Sequence, residues 1–304
     1  MQLELGIKTD PIEYRYSYDW LFSLMNELDI RCVQMGSFFE LYSVEDRFFT
    51  DLRRKAENHS IRIKSCFTTH RELGGFFTGN PYLERAARKN YERYINIAAQ
   101  LGADYVGSNP GTVYRDNMKH KQKGIDCYLD HMKELMKIAK TAGLKALTME
   151  PMSSSNEPPS FPDEYDYMVG TLLRYHTSKP DETVPVYLCG DISHGVADNT
   201  GRTVHSNIEL FEYGIPNMAE FHIKNTDSLY NSTFGFSAEE RKRGIVDIDQ
   251  VLSIIRERSS EWPVHEVIGY YETAGPKMGR DYSDPFLRDV LTESLLYVKN
   301  KIYR

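Results

Sequence analysis

The sequence predicts an α/β fold of the (β/α)8 barrel class in a single domain over residues 1–304, and three observations carry that expectation. Eight short β-type runs alternate with longer amphipathic stretches, the order that produces a parallel sheet with crossover helices. They recur at intervals of roughly 30 to 45 residues, room for one strand, one helix and their loops. The chain has 304 residues, 40% hydrophobic and 27% charged, which is enough apolar material for a full core and too much for a disordered chain.

Taken in order, the predicted strands are residues 3–9, 31–36, 62–67, 105–108, 146–150, 186–191, 219–224 and 266–272. Between them, Tyr91, Tyr94, Ile95, Ala98 and Leu101 share one helical face, with Gly102 as a stop signal. Met132, Leu135, Met136 and Ala139 repeat the pattern before Gly143. Pro285, Leu287, Val290, Leu291, Leu295 and Val298 predict a last helix that closes the barrel. Residues 152–162, rich in Ser and Pro, read as a loop after the fifth strand. An open doubly wound sheet would want a glycine-rich phosphate turn after an early strand, and residues 8–14 contain no glycine.

Charge and cysteine usage narrow the function classes. The formal charge is −7, from 37 basic and 44 acidic residues, so the basic surplus that neutralises nucleic-acid phosphates is missing and no nucleic-acid partner is expected. The first thirty residues carry Glu4, Lys8, Asp10, Glu13 and Arg15 without an uninterrupted apolar stretch, and no run approaches a bilayer span. Cys32, Cys66, Cys127 and Cys189 are scattered, with no Cys-x-x-Cys pair, and read as buried thiols of a reducing compartment. A cytoplasmic protein with no membrane partner is the expectation.

The chemistry concentrates where four apolar strands stop. The segments are Leu147-Thr148-Met149-Glu150-Pro151, Cys189-Gly190-Asp191-Ile192-Ser193-His194, Phe221-His222-Ile223-Lys224-Asn225-Thr226-Asp227 and Gly269-Tyr270-Tyr271-Glu272. In a barrel of parallel strands these ends meet at one mouth. Any one of them could be an ordinary polar strand end. Three crowded carboxylates, however, repel one another and resist desolvation unless a cation neutralises them. Oxygen donors with one imidazole and no thiolate suit Mn²⁺ or Mg²⁺, with Co²⁺ or Zn²⁺ as alternatives.

The series Glu, Asp-x-x-His, His and Glu on successive strands resembles that of the xylose isomerase-like barrels. This superfamily includes ketose 3-epimerases, hydroxypyruvate isomerases, inosose-processing enzymes and endonuclease IV. The architectural resemblance covers nearly the whole chain, while the motifs occupy strands five to eight. His222-Ile223-Lys224 is similar to the His-x-Lys of several sugar-processing branches. The resemblance implies that Glu150, Asp191, His222 and Glu272 bind one divalent metal and that Glu150 and Glu272 exchange a substrate proton from opposite faces. The chemistry agrees: a metal chelated by a ketone and the adjacent hydroxyl stabilises an enediolate, and a carboxylate on each face can remove and return its proton.

Further candidates surround these four. His194 would orient a substrate oxygen, against the plainer reading of a hydrogen-bonded rim histidine. Lys224 would contact the substrate or pair with nearby carboxylates. Arg115 and Arg280 could hold a substrate phosphate, although surface arginine is the plainer reading for both. Residues 68–77 pair glycines with Phe76 and Phe77, which suits either a lid or packing beneath the rim. Ser153 to Ser155 stand close to Glu150 in sequence, near enough to touch a ligand, though ordinary loop serines are the simpler reading. The ketose epimerases carry an arginine shortly after the matching histidine, and 225–229 has none, which leaves the substrate open.

The expected function is therefore a metal-dependent sugar isomerase or epimerase acting on a small ketose, a ketose phosphate or a related polyol-derived compound. A dehydratase or decarboxylase would use the same metal-bound enolate chemistry. An endonuclease IV-like repair nuclease needs more histidine ligands. His70 suits a third-strand position, but 105–110 has no histidine and no Asp-x-His pair follows His222. Relatives of this fold commonly associate, so a homodimer or homotetramer is expected.

Overall fold

The computed structural model describes residues 1–304, apart from the side chains of His70 and Arg71. The sequence reading of His70 as a ligand therefore lies outside the described residues.

Each β-run forms a strand followed by a helix. The strands are β1 (Gln2–Lys8), β2 (Cys32–Met35), β3 (Arg62–Thr68), β4 (Tyr105–Ser108), β5 (Ala146–Met149), β6 (Val186–Asp191), β7 (Met218–Ile223) and β8 (Glu266–Tyr271). The helices that follow them are α1 (Tyr18–Glu27), α2 (Asp46–Asn58), α3 (Pro81–Leu101), α4 (Lys121–Thr141), α5 (Pro162–Ser178), α6 (Asn207–Gly214), α7 (Ile248–Glu257) and α8 (Leu287–Ile302). The strands close into a barrel in the order β1-β8-β7-β6-β5-β4-β3-β2, so every strand neighbours its successor in sequence.

The chain divides into two compact units, residues 1–36, 54–63 and 190–304, and residues 37–53 and 64–189. In the first, β1 pairs in parallel with β8 from Gln2↔Glu266 to Ile7↔Tyr271, and with β2 from Gly6↔Cys32 to Lys8↔Gln34. The same unit pairs β8 with β7, Tyr270 opposite His222. In the second, β3, β4 and β5 pair successively, Thr68 opposite Ser108 and Ser108 opposite Met149. The strands are buried on both faces, as the uniformly buried run Met218–Ile223 illustrates, and that is why they read as near-continuous apolar stretches.

Local signals set the helix ends. Asn80 accepts from the Tyr82 amide at the start of α3 and Pro81 occupies its first turn, where the missing N–H costs nothing. The helix stops at Gly102 in the left-handed conformation, φ 74°, which glycine adopts without a Cβ penalty. Asp247 caps α7 by accepting from the Asp249 and Gln250 amides. The apolar faces expected for α3 and α4 are buried as drawn: Tyr91, Tyr94, Ile95, Ala98 and Leu101 on one, Met132, Leu135, Met136 and Ala139 on the other.

Several details differ from the sequence expectation, among them the ends of β1 at Lys8, β2 at Met35 and β3 at Thr68. Glu150, Lys224 and Glu272 fall one residue beyond their strands, although the Glu150 and Glu272 amides still hydrogen-bond the neighbouring strand. The last helix begins at Leu287; Pro285 lies in the preceding 3-10 turn, Asp284–Phe286. A small antiparallel hairpin, Val196–Ala197 against Thr203–His205, follows β6. It is too short to show a period. No helix among the described residues is long and apolar enough to cross a membrane.

Candidate metal centre

The strand ends are pinned by backbone hydrogen bonds before any side chain acts. The Glu150 amide donates to Ser108 O at 3.2 Å, the Ile192 amide to His222 O at 3.3 Å and the Glu272 amide to Ile223 O at 3.0 Å. The carboxylates are thus positioned by the ladder and not by mobile loops, the arrangement that holds a site to sub-ångström tolerance.

Each ligand candidate is then aimed by a neighbour. Asp191 Oδ1 accepts from both the amide and the hydroxyl of Ser193, each at 2.7 Å. Its other oxygen, Oδ2, is buried without a directed hydrogen bond, although Lys224 Nζ lies 2.8 Å away. His222 is fully buried, and its Nε2 lies 2.9 Å from Gln34 Oε1. Because that amide oxygen only accepts, Nε2 carries a proton, and whenever the ring is neutral Nδ1 is the nitrogen with the lone pair. Nδ1 faces Glu272 Oε2 at 3.5 Å and Asp191 Oδ2 at 3.9 Å. Glu150 is buried and accepts from the Asn109 side-chain amide.

Two lysines share the carboxylates. Lys224 Nζ stands 2.7 Å from Glu272 Oε2, and Lys8 Nζ is 2.5 Å from Glu272 Oε1 and 3.0 Å from Asp10 Oδ2. Burial alone would push the Glu272 carboxyl up. His222, Lys224 and Lys8 together outweigh it and hold that group well below the usual carboxylate range. Asp10 goes the other way: burial raises it above its ordinary value and the Lys8 ammonium only partly offsets this. A Cβ at position 36 would lie 1.9 Å from Asp10 Oδ1, so the glycine that ends the second strand segment is what admits Asp10.

One ligand atom from each of Glu150, Asp191, His222 and Glu272 lies within 4.8 Å of the others. Two like charges about 4 Å apart cost about 4 kcal/mol even at an effective dielectric of about 20. A divalent ion placed among these carboxylates would offset that repulsion. The directionless Asp191 Oδ2, the lone pair of His222 and the oxygen-rich donor set all fit such an ion.

A family model for the xylose isomerase-like TIM barrel matches residues 22–284. The chain belongs to that family. No curated protein matches the sequence significantly. Among solved structures, this xylose isomerase-like barrel is similar to a Rhodospirillum rubrum protein provisionally named as a xylose isomerase, with TM-score 0.76 and 18% identity, covering 98% of this chain and 99% of that one. It is similar to D-psicose 3-epimerase from Clostridium cellulolyticum, solved with D-tagatose, at TM-score 0.66 and 12% identity over 100% and 97% of the two chains. A Bacillus anthracis protein provisionally named as a 3-DHS dehydratase matches at TM-score 0.66 and 13% identity over 98% and 99%. At these identities the likeness is one of fold.

The four expected ligands of this xylose isomerase-like barrel come together, and so do two of the surrounding candidates. Lys224 pairs with Asp191 and Glu272, and His194 Nε2 lies 3.5 Å from Asp191 Oδ2. Arg280 is exposed, with its guanidinium on Gly279 O, and Arg115 donates to Ser154 and Ser155. Phe76 and Phe77 are buried, with Phe77 against Tyr128 at 5.6 Å between ring centroids, the contact that the packing reading of that segment expects. Sequence reasoning passed over Lys8, Asp10, Gln34, Asn109 and Ser193. The signal for the first two was a lysine that ends the first strand and an aspartate two residues on.

Proposed function

We propose that this protein is a divalent-metal-dependent sugar isomerase or epimerase that acts on a small ketose, a ketose phosphate or a related polyol-derived substrate. The observation that carries this reading is the approach of Glu150, Asp191, His222 and Glu272 to within 4.8 Å. The epimerase fold likeness supports it. Those four residues would hold the ion, Mn²⁺ or Mg²⁺ by preference. When bound, the ion supplies the positive charge that makes a proton beside a carbonyl removable.

The chain's own groups do the rest. Glu272, kept ionised by the Lys8 and Lys224 ammonium groups beside it, takes the proton from the substrate carbon. Glu150, turned toward the cluster by Asn109, returns one from the other side. Lys224 and His194 orient substrate oxygens. A metal-dependent lyase is the second reading, favoured by the two ammonium groups that flank Glu272, since either can protonate a departing hydroxyl.

The test is incubation of Mn²⁺-loaded protein in D₂O with a panel of tri- to hexuloses and their phosphates, reading product mass and stereochemistry together. An isomer that has lost neither water nor carbon dioxide and is heavier only by its carbon-bound deuterium is expected, with loss of at least about 100-fold in Glu150→Gln and in Glu272→Gln. Loss of water or carbon dioxide moves the assignment to the lyase. No exchange on any member of the panel overturns the isomerase reading.

A further inference from the structure

A second group of donors stands apart from the strand ends, on the surface formed by α3 and α4. Glu84 lies in the first turn of α3, and Cys127 and His131 lie one turn apart on α4. Side chains at this i, i+4 spacing project from one face of a helix. One ligand atom from each of the three lies within 4.8 Å of the other two, and all three are partly buried. The contacts are already made through protons. His131 Nε2 lies 2.9 Å from Glu84 Oε1, and the Cys127 thiol also hydrogen-bonds Glu84. Phe76 packs on the imidazole at 4.6 Å between ring centroids, which fixes the ring's plane before any ligand arrives.

We infer that Glu84, Cys127 and His131 form a second metal site, selective for a thiophilic divalent ion such as Zn²⁺ and chemically distinct from the strand-end site. The donor set decides the selectivity. A thiolate, an imidazole and one carboxylate suit zinc, which takes four ligands in tetrahedral geometry, whereas the sulfur-free strand-end set suits harder ions. Three protein ligands leave the fourth position for water. Tetrahedral zinc with bonds of roughly 2.0 to 2.3 Å brings its ligand atoms to about 3.3 to 3.7 Å from one another. From the present 4.8 Å limit the ligand atoms would have to approach by about one ångström to reach that spacing.

Binding exchanges protons for the ion. Burial, with a contribution from Glu84, pushes the Cys127 thiol up to about 11; zinc reverses that preference, because a coordinating thiol is deprotonated outright. One proton, from Sγ, leaves to solvent for each ion bound. On neutral His131 the ring proton moves from Nε2 to Nδ1 as Nε2 takes the metal. There it meets Arg88, whose Nη1 lies 3.4 Å from Nδ1. Arg88 is already tied to Glu92 through Nε at 2.6 Å, and turning the guanidinium further toward that partner relieves the conflict. Arg88 therefore weakens the site without blocking it.

Cobalt substitution reads this directly, because only a thiolate ligand gives the near-ultraviolet sulfur-to-Co²⁺ charge-transfer band and the strand-end set has no sulfur. Titration of the full chain with Co²⁺ should produce that band at one equivalent, with visible absorption of tetrahedral intensity, and Zn²⁺ should bleach it. Cys127→Ser and, independently, His131→Gln should abolish the band and weaken Zn²⁺ binding by more than about 100-fold. Arg88→Met should strengthen binding. Absence of the band at saturating Co²⁺, or its persistence in Cys127→Ser, overturns the assignment. Neither result bears on the strand-end site, whose Co²⁺ binding carries no thiolate signature.

Discussion

The ends of β6, β7 and β8 and the ends of β1 and β2 serve one cluster in different ways. On the first three, the residue at the end of the apolar run is itself a ligand candidate: Asp191, His222, Glu272. On the other two it is a residue that acts on those candidates. Lys8 and Asp10 set the charge around Glu272, and Gln34 fixes which nitrogen of His222 carries the proton. The difference teaches that a site of this kind has a half whose residue types announce it and a half whose types are ordinary until the contacts are known.

The sharpest way to break this comparison is Lys8→Met. Lys8 is almost wholly buried and Glu272 nearly so, and removing one partner of a buried pair leaves an uncompensated charge at a cost of about 3 kcal/mol. In a chain of 304 residues, at about 2.1 cal/mol/K of unfolding entropy per residue, that lowers Tm by roughly 5 °C. The loss should be full in EDTA and partly restored by excess Mn²⁺, since an ion at 100 times its Kd returns about 2.7 kcal/mol. Thermal unfolding with and without chelator measures both. A Tm unchanged in EDTA would show that β1 contributes no essential charge and that the two regions are independent.

The same contrast explains what the sequence could and could not reveal. Eight strands were legible because each is a short apolar run between turn signals. Tyr105–Ser108 and Val186–Asp191 were bounded to the residue. Glu150, Asp191, His222 and Glu272 stood out because each puts a carboxylate or imidazole where a buried apolar strand ends or is about to end. Gln34 and Asn109 carry no such anomaly: a polar amide at a strand end is unremarkable in composition and gains meaning only from the 2.9 Å contact to His222 or from the carboxylate of Glu150. The burial of Phe76 and Phe77 was equally hidden, since glycine beside phenylalanine suits a lid and a packed turn alike. Glu84 and His131 stand 47 positions apart in the sequence, and their approach depends on how two helices pack.

Gln34→Leu sharpens the comparison from the side of β2. It keeps the side-chain volume and removes the acceptor that holds the Nε2 proton of His222. Loss of such an outer partner typically costs 10- to 100-fold in metal affinity. Calorimetric titration with Mn²⁺ should show that weakening, while unfolding in EDTA changes less than for Lys8→Met. A variant that binds Mn²⁺ as tightly as the wild type would mean that His222 does not depend on Gln34 for its tautomer, and would remove β2 from the supporting half.

Arg280→Ala tests the smallest expected effect, and it does so where the sequence reading and the geometry diverge. Arg280 is exposed and its guanidinium rests on the neighbouring Gly279 carbonyl, so stability should change by less than about 0.5 kcal/mol and Mn²⁺ affinity not at all. A phosphate-binding role predicts something different: a raised KM for a phosphorylated substrate with an unaltered kcat, because binding energy spent equally on ground and transition states moves only KM. Equal KM values for the phosphorylated substrate in wild type and variant would retire Arg280 as a substrate contact. A rise confined to that substrate would make it the one specificity residue of this protein drawn from outside both sets of strand ends.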